Sequence, residues 1–271
     1  MKEGIIRLTP VPIAIDLYCG LGGWTEGLLA EGFDVIGFDI EQHAYGEHRY
    51  PAQLVVQDVL TLHGSQFKDA ALIVASPPCQ EYSYMAMPWS LAKAKAKAIR
   101  ADATGKELER LNQLFSACFR IQKEASFAAG HIIPLVVENV KGAQPWVGRA
   151  RWNFGSFYLW GDVPALMPVT FGRQVMKVGI AHRSNGATNF HGQKSPGQKV
   201  TNRNPVHALA GIKGSEGYER DHPDAFGWKK PGTSSKSPAR KMASAMIAKI
   251  PLPLSRHIAR TYMPRPRESS V

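Results

Sequence analysis

The sequence predicts a doubly wound α/β fold, and three observations carry that prediction. Short apolar runs of strand length recur through the first 140 residues, separated by helical or turn-rich segments. The first run leads into a glycine-rich turn, "GLGG" at 20–23, that opens a helix. Later runs end in chemistry-bearing residues (Asp39, Asp58, Cys79, Glu138), and parallel sheets bind ligands at such strand ends.

"IAIDLYC" (13–19) reads as the first strand, and a helix begins near Trp24. "FDVIGFDI" (33–40) is the second strand and "LVVQDV" (54–59) a shorter third. "ALIVAS" (71–76) follows, then a helix through "LERLNQLFSACFRIQKEASFAAG" with apolar spacing near 3.6. "IIPLVVENV" (132–140) is another buried strand. From 169 to 237 the character changes: Gly, Ser and Asn abound, and Lys and Arg outnumber Asp and Glu. "SPARKMASAMIAKI" (237–250) resumes a helical pattern that Pro251 and Pro253 break, and "LSRHIARTY" is a further short helix. The chain divides accordingly into a catalytic part (1–168), a basic target-recognition region (169–237) and a C-terminal segment completing the catalytic part (238–271).

The 271 residues, 44% of them hydrophobic, suffice for one sizeable core. A formal charge of +11 points to a polyanionic partner, nucleic acid being the commonest. Three scattered cysteines are too few for a disulfide framework or a zinc site, which indicates a reducing compartment and no metal. With no long apolar run, neither a secretory leader nor a membrane span is expected, and the cytoplasm is the expected location.

Three segments carry chemistry. In "DLYCGLGGWTEGL", closely spaced glycines let a ligand approach the backbone at a helix N-terminus, although tight turns need glycine on steric grounds alone. Asp39 ends the second strand, where a carboxylate binds a ribose hydroxyl pair; Asp58 follows the third. In "SPPCQEYS" (76–83), two prolines stop a buried strand and set Cys79 at its tip. A free cysteine is usually a small buried hydrophobe, but polar neighbours on one side and prolines on the other argue against a core position here. A thiol at such a junction serves as a thiolate nucleophile. Glu138 and Asn139 end the last strand, either as a capping pair or as an acid that engages a ring nitrogen.

These segments together resemble the cytosine-5 DNA methyltransferases. "DLYCGLGG" is similar to the family's cofactor loop, "SPPCQEYS" to its nucleophile motif and "ENV" to its acid motif; "IAKIPLPLSRHIA" resembles its last motif. The resemblance implies a Rossmann-like, S-adenosylmethionine-dependent sheet with a small basic target-recognition region. It implies a cofactor site from Asp16, Tyr18, Cys19, Gly20, Gly22, Gly23 and Trp24, although Tyr18 and Trp24 serve equally as packing. Asp39 and Ile40, with Asp58 and Val59, fall where the family holds ribose and adenine; Pro77 and Ile250 border the same site. Cys79 would add to C6 of a cytosine flipped out of double-stranded DNA while Glu138 engages N3. Gln80 and Asn139 would support the pair, and Ser83 would face the DNA.

Two departures from the family pattern matter. Counting back from Gly161 puts Ser156 where the family has a cytosine-contacting arginine; Arg149 and Arg151 are candidates to replace it, or to meet phosphate. In "AKIP", Lys249 falls at or beside a family asparagine next to the cofactor. Two cations ~5 Å apart repel by ~3 kcal/mol at an effective dielectric of about 20. A donor bearing a carboxylate on its transferable carbon, carboxy-S-adenosylmethionine, would relieve that conflict and yield 5-carboxymethylcytosine; alternatively Lys249 points outward or binds another carboxylate or a phosphate. A monomer is expected. The competing readings are an RNA (tRNA) cytosine-5 methyltransferase and an inactive DNA-binding relative. A compact, unaccompanied modifying enzyme would suit a phage, in which case the host cytoplasm is the location.

Overall fold

The computed structural model describes residues 10–83, 89–167, 241–242, 245–246 and 248–264. The region 169–237 and the tail beyond 264 lie outside the described residues.

The strands are β1 (Ile13–Leu17), β2 (Asp34–Asp39), β3 (Ala44–Tyr45), β4 (His48–Arg49), β5 (Gln53–Val56), β6 (Ala70–Ala75), β7 (Leu135–Asn139), β8 (Trp152–Phe154) and β9 (Phe157–Gly161). The helices are α1 (Gly23–Ala30), α2 (Trp89–Ala101), α3 (Lys106–Ala129), α4 (Gln144–Val147) and α5 (Leu252–Tyr262). Seven strands form one sheet in the order β5-β2-β1-β6-β7-β9-β8, and β3 with β4 makes a separate hairpin. The β5-β2-β1-β6-β7 portion is parallel; β9 runs antiparallel to β7, and β8 to β9. The expected α/β sheet is therefore present, with an antiparallel edge added.

The central strands are buried on both faces. Leu17, Ile73, Ala75, Leu135 and Val137 pack beneath α3 with Phe115, Cys118 and Ile121. Ala14, Val35, Leu72, Val74 and Val136 pack on the other face with Trp24 and Leu28 of α1 and Leu254 and Ile258 of α5. Continuous apolar runs, rather than alternation, are what a two-sided parallel sheet requires.

Several boundaries differ from the expectation. The third strand stops at Val56, because Asp58 turns the chain by accepting the Leu60 amide at 2.9 Å and capping a 3₁₀ turn at Val59–Thr61. Pro253 does not interrupt a helix; it sits in the first turn of α5, where its missing N–H has no partner to lose. α2 and the β3–β4 hairpin were not anticipated. Among the described residues no helix is long and apolar enough to cross a membrane.

Candidate active site

The chain winds outward through β1, β2 and β5, then returns to lay β6 on the other side of β1. That reversal is a topological switch point, and the loops leaving β1 and β6 diverge around it. Leu17 and Ala75 are register partners, and the Ser76 amide donates to the Leu17 carbonyl at 3.1 Å. The glycine loop and the Pro-Pro-Cys turn therefore leave the sheet side by side. Trp24, 2% exposed, donates its indole N–H to Ser76 Oγ at 3.0 Å; of its two roles, it fills the packing one and links the two loops.

In the first loop Tyr18 takes φ 57°, a left-handed conformation unusual for a non-glycine residue. Its hydroxyl donates to the Leu114 carbonyl of α3 at 2.9 Å, which holds the ring against that helix. Gly23 is required by close approach: a Cβ there would lie 2.3 Å from the Ile250 backbone nitrogen. The segment bearing Ile250 and Lys249 thus lies directly on the glycine loop. Cys19 is buried, and burial pushes its thiol pKa up, so it is no competing nucleophile.

Asp39 Oδ2 accepts the Gly20 amide at 2.9 Å, tying the end of β2 to the glycine loop. His43 Nε2 lies 3.5 Å from Asp39 Oδ1. Burial works against ionisation of Asp39, but the His43, Gly20 and Glu41 contacts outweigh it and hold the carboxyl below its ordinary range. Ile40 and Val56 stand exposed beside it, Ile40 at 69%. Asp58 spends one oxygen on the cap described above, and Val59 is buried.

Beneath α1 lies a chain of groups of which the sequence singles out Asp16 but not Thr25 or Tyr50. Thr25 Oγ1 donates to Asp16 Oδ2 at 2.6 Å, and the Tyr50 hydroxyl lies 2.6 Å from the same Thr25 oxygen. Asp16 is wholly buried, and its other oxygen, Oδ1, has no partner within the described residues. Burial pushes its pKa up to about 7, against the opposing Thr25 hydrogen bond and with help from the Asp39 charge. One signal was available: Gly37 interrupts β2, and a Cβ there would lie 2.3 Å from the Tyr50 ring. A glycine within a strand marks such an approach.

On the other side of the switch point, Cys79 is half-buried at the end of the β6 loop. Its carbonyl accepts the Tyr82 and Ser83 amides at 3.0 and 2.9 Å, closing a tight turn. The Tyr82 hydroxyl fastens that turn to α3 through the Leu111 carbonyl and Asn112 Oδ1. Asn139 Nδ2 donates to the Pro77 carbonyl at 2.9 Å, and Asn139 Oδ1 accepts the Val140 amide at 2.8 Å. Asn139 therefore braces the nucleophile loop. Glu138, 2% exposed, precedes it on β7, the strand adjoining β6. Pro77 is buried, Ser83 half-buried and Gln80 exposed.

Glu138 pairs in register with Leu159 of β9, so the β8–β9 hairpin borders the acid. Arg149 and Arg151 are exposed at the entry to that hairpin, and the Arg151 amide donates to the Leu159 carbonyl at 2.9 Å. Ser156 occupies the hairpin turn. Lys249 has a partner that spacing did not reveal: its Nζ lies 2.5 Å from Glu26 Oε1 in the first turn of α1.

Residues 13–144 match the family model for C-5 cytosine-specific DNA methylase. No curated protein matches the chain. Among solved structures, it is similar to a protein assigned as a DNA modification methyltransferase in an E. coli prophage, at 26% identity and TM-score 0.32, over 49% of this chain and 33% of that one. It is also similar to the Entamoeba histolytica methyltransferase EhMeth, at 15% identity and TM-score 0.33, over 52% of this chain and 41% of that one. A third likeness is to the S. pombe Dnmt2 methyltransferase, at 12% identity and TM-score 0.42, over 93% and 98% of the two chains. The chain thus spans about a third of the length of the prophage protein that it matches. The match to the C-5 cytosine-specific DNA methylase family falls on the strands and loops that carry Cys79 and Glu138.

Proposed function

We propose that the protein is a DNA cytosine-5 methyltransferase that uses S-adenosylmethionine. The observation that carries this reading is the half-buried Cys79 thiol, braced by Asn139 and set between the glycine loop and the strand bearing Glu138. Duplex DNA is the substrate that the family match and the +11 charge support.

The residues around the glycine loop fit that donor. Asp16 Oδ1 is a buried acceptor without a partner among the described residues, suited to an ammonium group. Asp39 is held ionised for a ribose, and the exposed Ile40 and Val56 offer apolar walls to a base. When bound, S-adenosylmethionine supplies the electrophilic methyl group for C5.

The rest of the work falls to the chain's own side chains. Cys79 Sγ bonds to C6 of the extruded cytosine, and the electron pair of the 5,6 double bond moves toward C5. Glu138 hydrogen-bonds or protonates N3, drawing charge off the ring. After C5 is alkylated its proton passes to solvent water, and the electron pair it leaves re-forms the 5,6 double bond. The C6–S bond breaks to restore the thiolate, and any proton on N3 returns to Glu138. Asn139 keeps the turn in place through both bond changes. Extruding the base costs a few kcal/mol, about what a short set of pocket contacts can return. Gln80 and Ser83 face the base or its strand, and Arg149 or Arg151 takes the place left by Ser156.

The Lys249–Glu26 pair supports methyl rather than carboxymethyl transfer, because Glu26 already balances the cation that motivated the carboxylated donor. Residues 169–237 are assigned to target recognition, with 1–168 and 238–271 as the catalytic unit. Nucleoside mass spectrometry of duplex DNA and of tRNA, treated with each donor, tests the reading. 5-Methylcytosine in DNA is expected; product in tRNA alone, or 5-carboxymethylcytosine as the main product, would replace it. A covalent complex with 5-fluorocytosine duplex is expected, and Cys79→Ala should abolish it.

A further inference from the structure

We propose that α2 is a docking face for the phosphate backbone of duplex DNA, engaging the strand whose base reaches Cys79. The inference rests on the methyltransferase reading for its choice of partner, but its physical basis is separate.

The helix "WSLAKAKAKAIRA" carries three lysines and an arginine and no acidic residue. Ala92, Ala96 and Ile99, at helical spacing i, i+4 and i+7, are its buried face. Lys93, Lys97 and Arg100 follow the same spacing one residue along and are all exposed. Like charges at i, i+4 destabilise a helix by ~0.2–0.5 kcal/mol per pair, and a polyanion offsets that cost. Among the described residues Lys97 has no acidic partner.

The placement of the stripe favours this partner. Lys95 makes an ion pair with Glu81, two residues after the nucleophile. The Arg100 guanidinium lies 5.3 Å from the centre of the Trp146 ring, in α4 beyond the acid strand. Trp146 is itself tied to the loop anchor, because Asn112 donates to its carbonyl at 2.8 Å while accepting from Tyr82. α2 thus connects the segments that follow Cys79 and Glu138. A backbone held on its outer face would run beside both segments.

Salt dependence of binding tests the proposal without reference to turnover. Each phosphate contact to duplex DNA adds about 0.9 to the slope of log affinity against log salt. Lys93→Gln with Lys97→Gln is expected to reduce the slope by about 1.8, so that the affinity drop between 50 and 200 mM salt becomes roughly tenfold smaller. An unchanged thermal midpoint will show that the double variant is folded; if it does not fold, Lys97→Gln alone should reduce the slope by about 0.9. An unchanged slope in a folded variant overturns the proposal, as does a reduction seen with tRNA but not with duplex DNA. Absence of methyl transfer by the wild type would strike the functional reading instead, and the slopes would still decide the surface.

Discussion

Asp16 is the residue most at odds with its surroundings. It is fully buried, with one oxygen held by Thr25 and the other without a partner within the described residues. Burial pushes its folded pKa up to about 7, above the ordinary aspartate value of 3.8. The protonated acid therefore contributes stability that is fully present below pH ~4 and lost as pH rises through ~7. The wild type, without ligand, should be less stable at pH 8 than at pH 5 by an amount on the order of 3 kcal/mol, and Asp16→Asn should remove most of that difference. Urea unfolding at the two pH values measures it. Tyr50→Phe deletes the outer hydroxyl of the chain; we expect weaker donor binding, by roughly 1 kcal/mol or several-fold in Kd, with little change in kcat. Titration calorimetry with S-adenosylmethionine reads the first and turnover the second. These residues were legible only in part. The motif pointed to Asp16, but Tyr50 is far from it in sequence, and Gly37 was the sole trace of the contact.

At the scale of elements, strands were easier to read than helices. The five parallel strands announced themselves as apolar runs, and in the four inner ones burial on both faces leaves little room for polar residues. α2 did not, because its buried face is mostly alanine, a residue equally at home on an exposed helix surface. α5 was legible as "LSRHIARTY", and only its first turn was missed, because Pro253 suits a first turn as well as it breaks an interior. This helix is held firmly: Leu254 and Ile258 are fully buried, and Glu31 of the α1 turn pairs with Arg256 at 2.5 Å and Arg260 at 2.8 Å. Leu254→Ala should cost about 2–5 kcal/mol in a denaturant titration, by loss of transfer energy and the cavity left behind. Asn139→Ala, on β7, removes the brace on Pro77 and leaves a buried carbonyl unsatisfied, at about 1–3 kcal/mol. Turnover and yield of the trapped covalent complex should both fall, since the thiol loses its fixed position.

Over the whole molecule, the proposed donor and base sites belong to loops from adjacent strands, and the C-terminal helix packs back on the first helix. This layout predicts separable functions: replacing residues 169–237 by a short Gly-Ser linker should preserve donor binding and abolish selection among DNA duplexes. Calorimetry and methylation of defined duplexes check the two halves. The site's chemistry was readable from short motifs because each ends a strand, whereas partnerships across the fold were not. Lys249 illustrates the difference: spacing placed it beside the glycine loop, but only three-dimensional proximity pairs it with Glu26, 223 residues away.

The Trp24 indole and Ser76 hydroxyl lash the glycine turn to the stretch that leads into Cys79. A mutation that carves room for a bulkier alkyl fragment at that point would also unseat the sulfur next door. Efforts to broaden the transferred group therefore have more freedom at the outer rim, near Ile40 and Lys249, than at the floor.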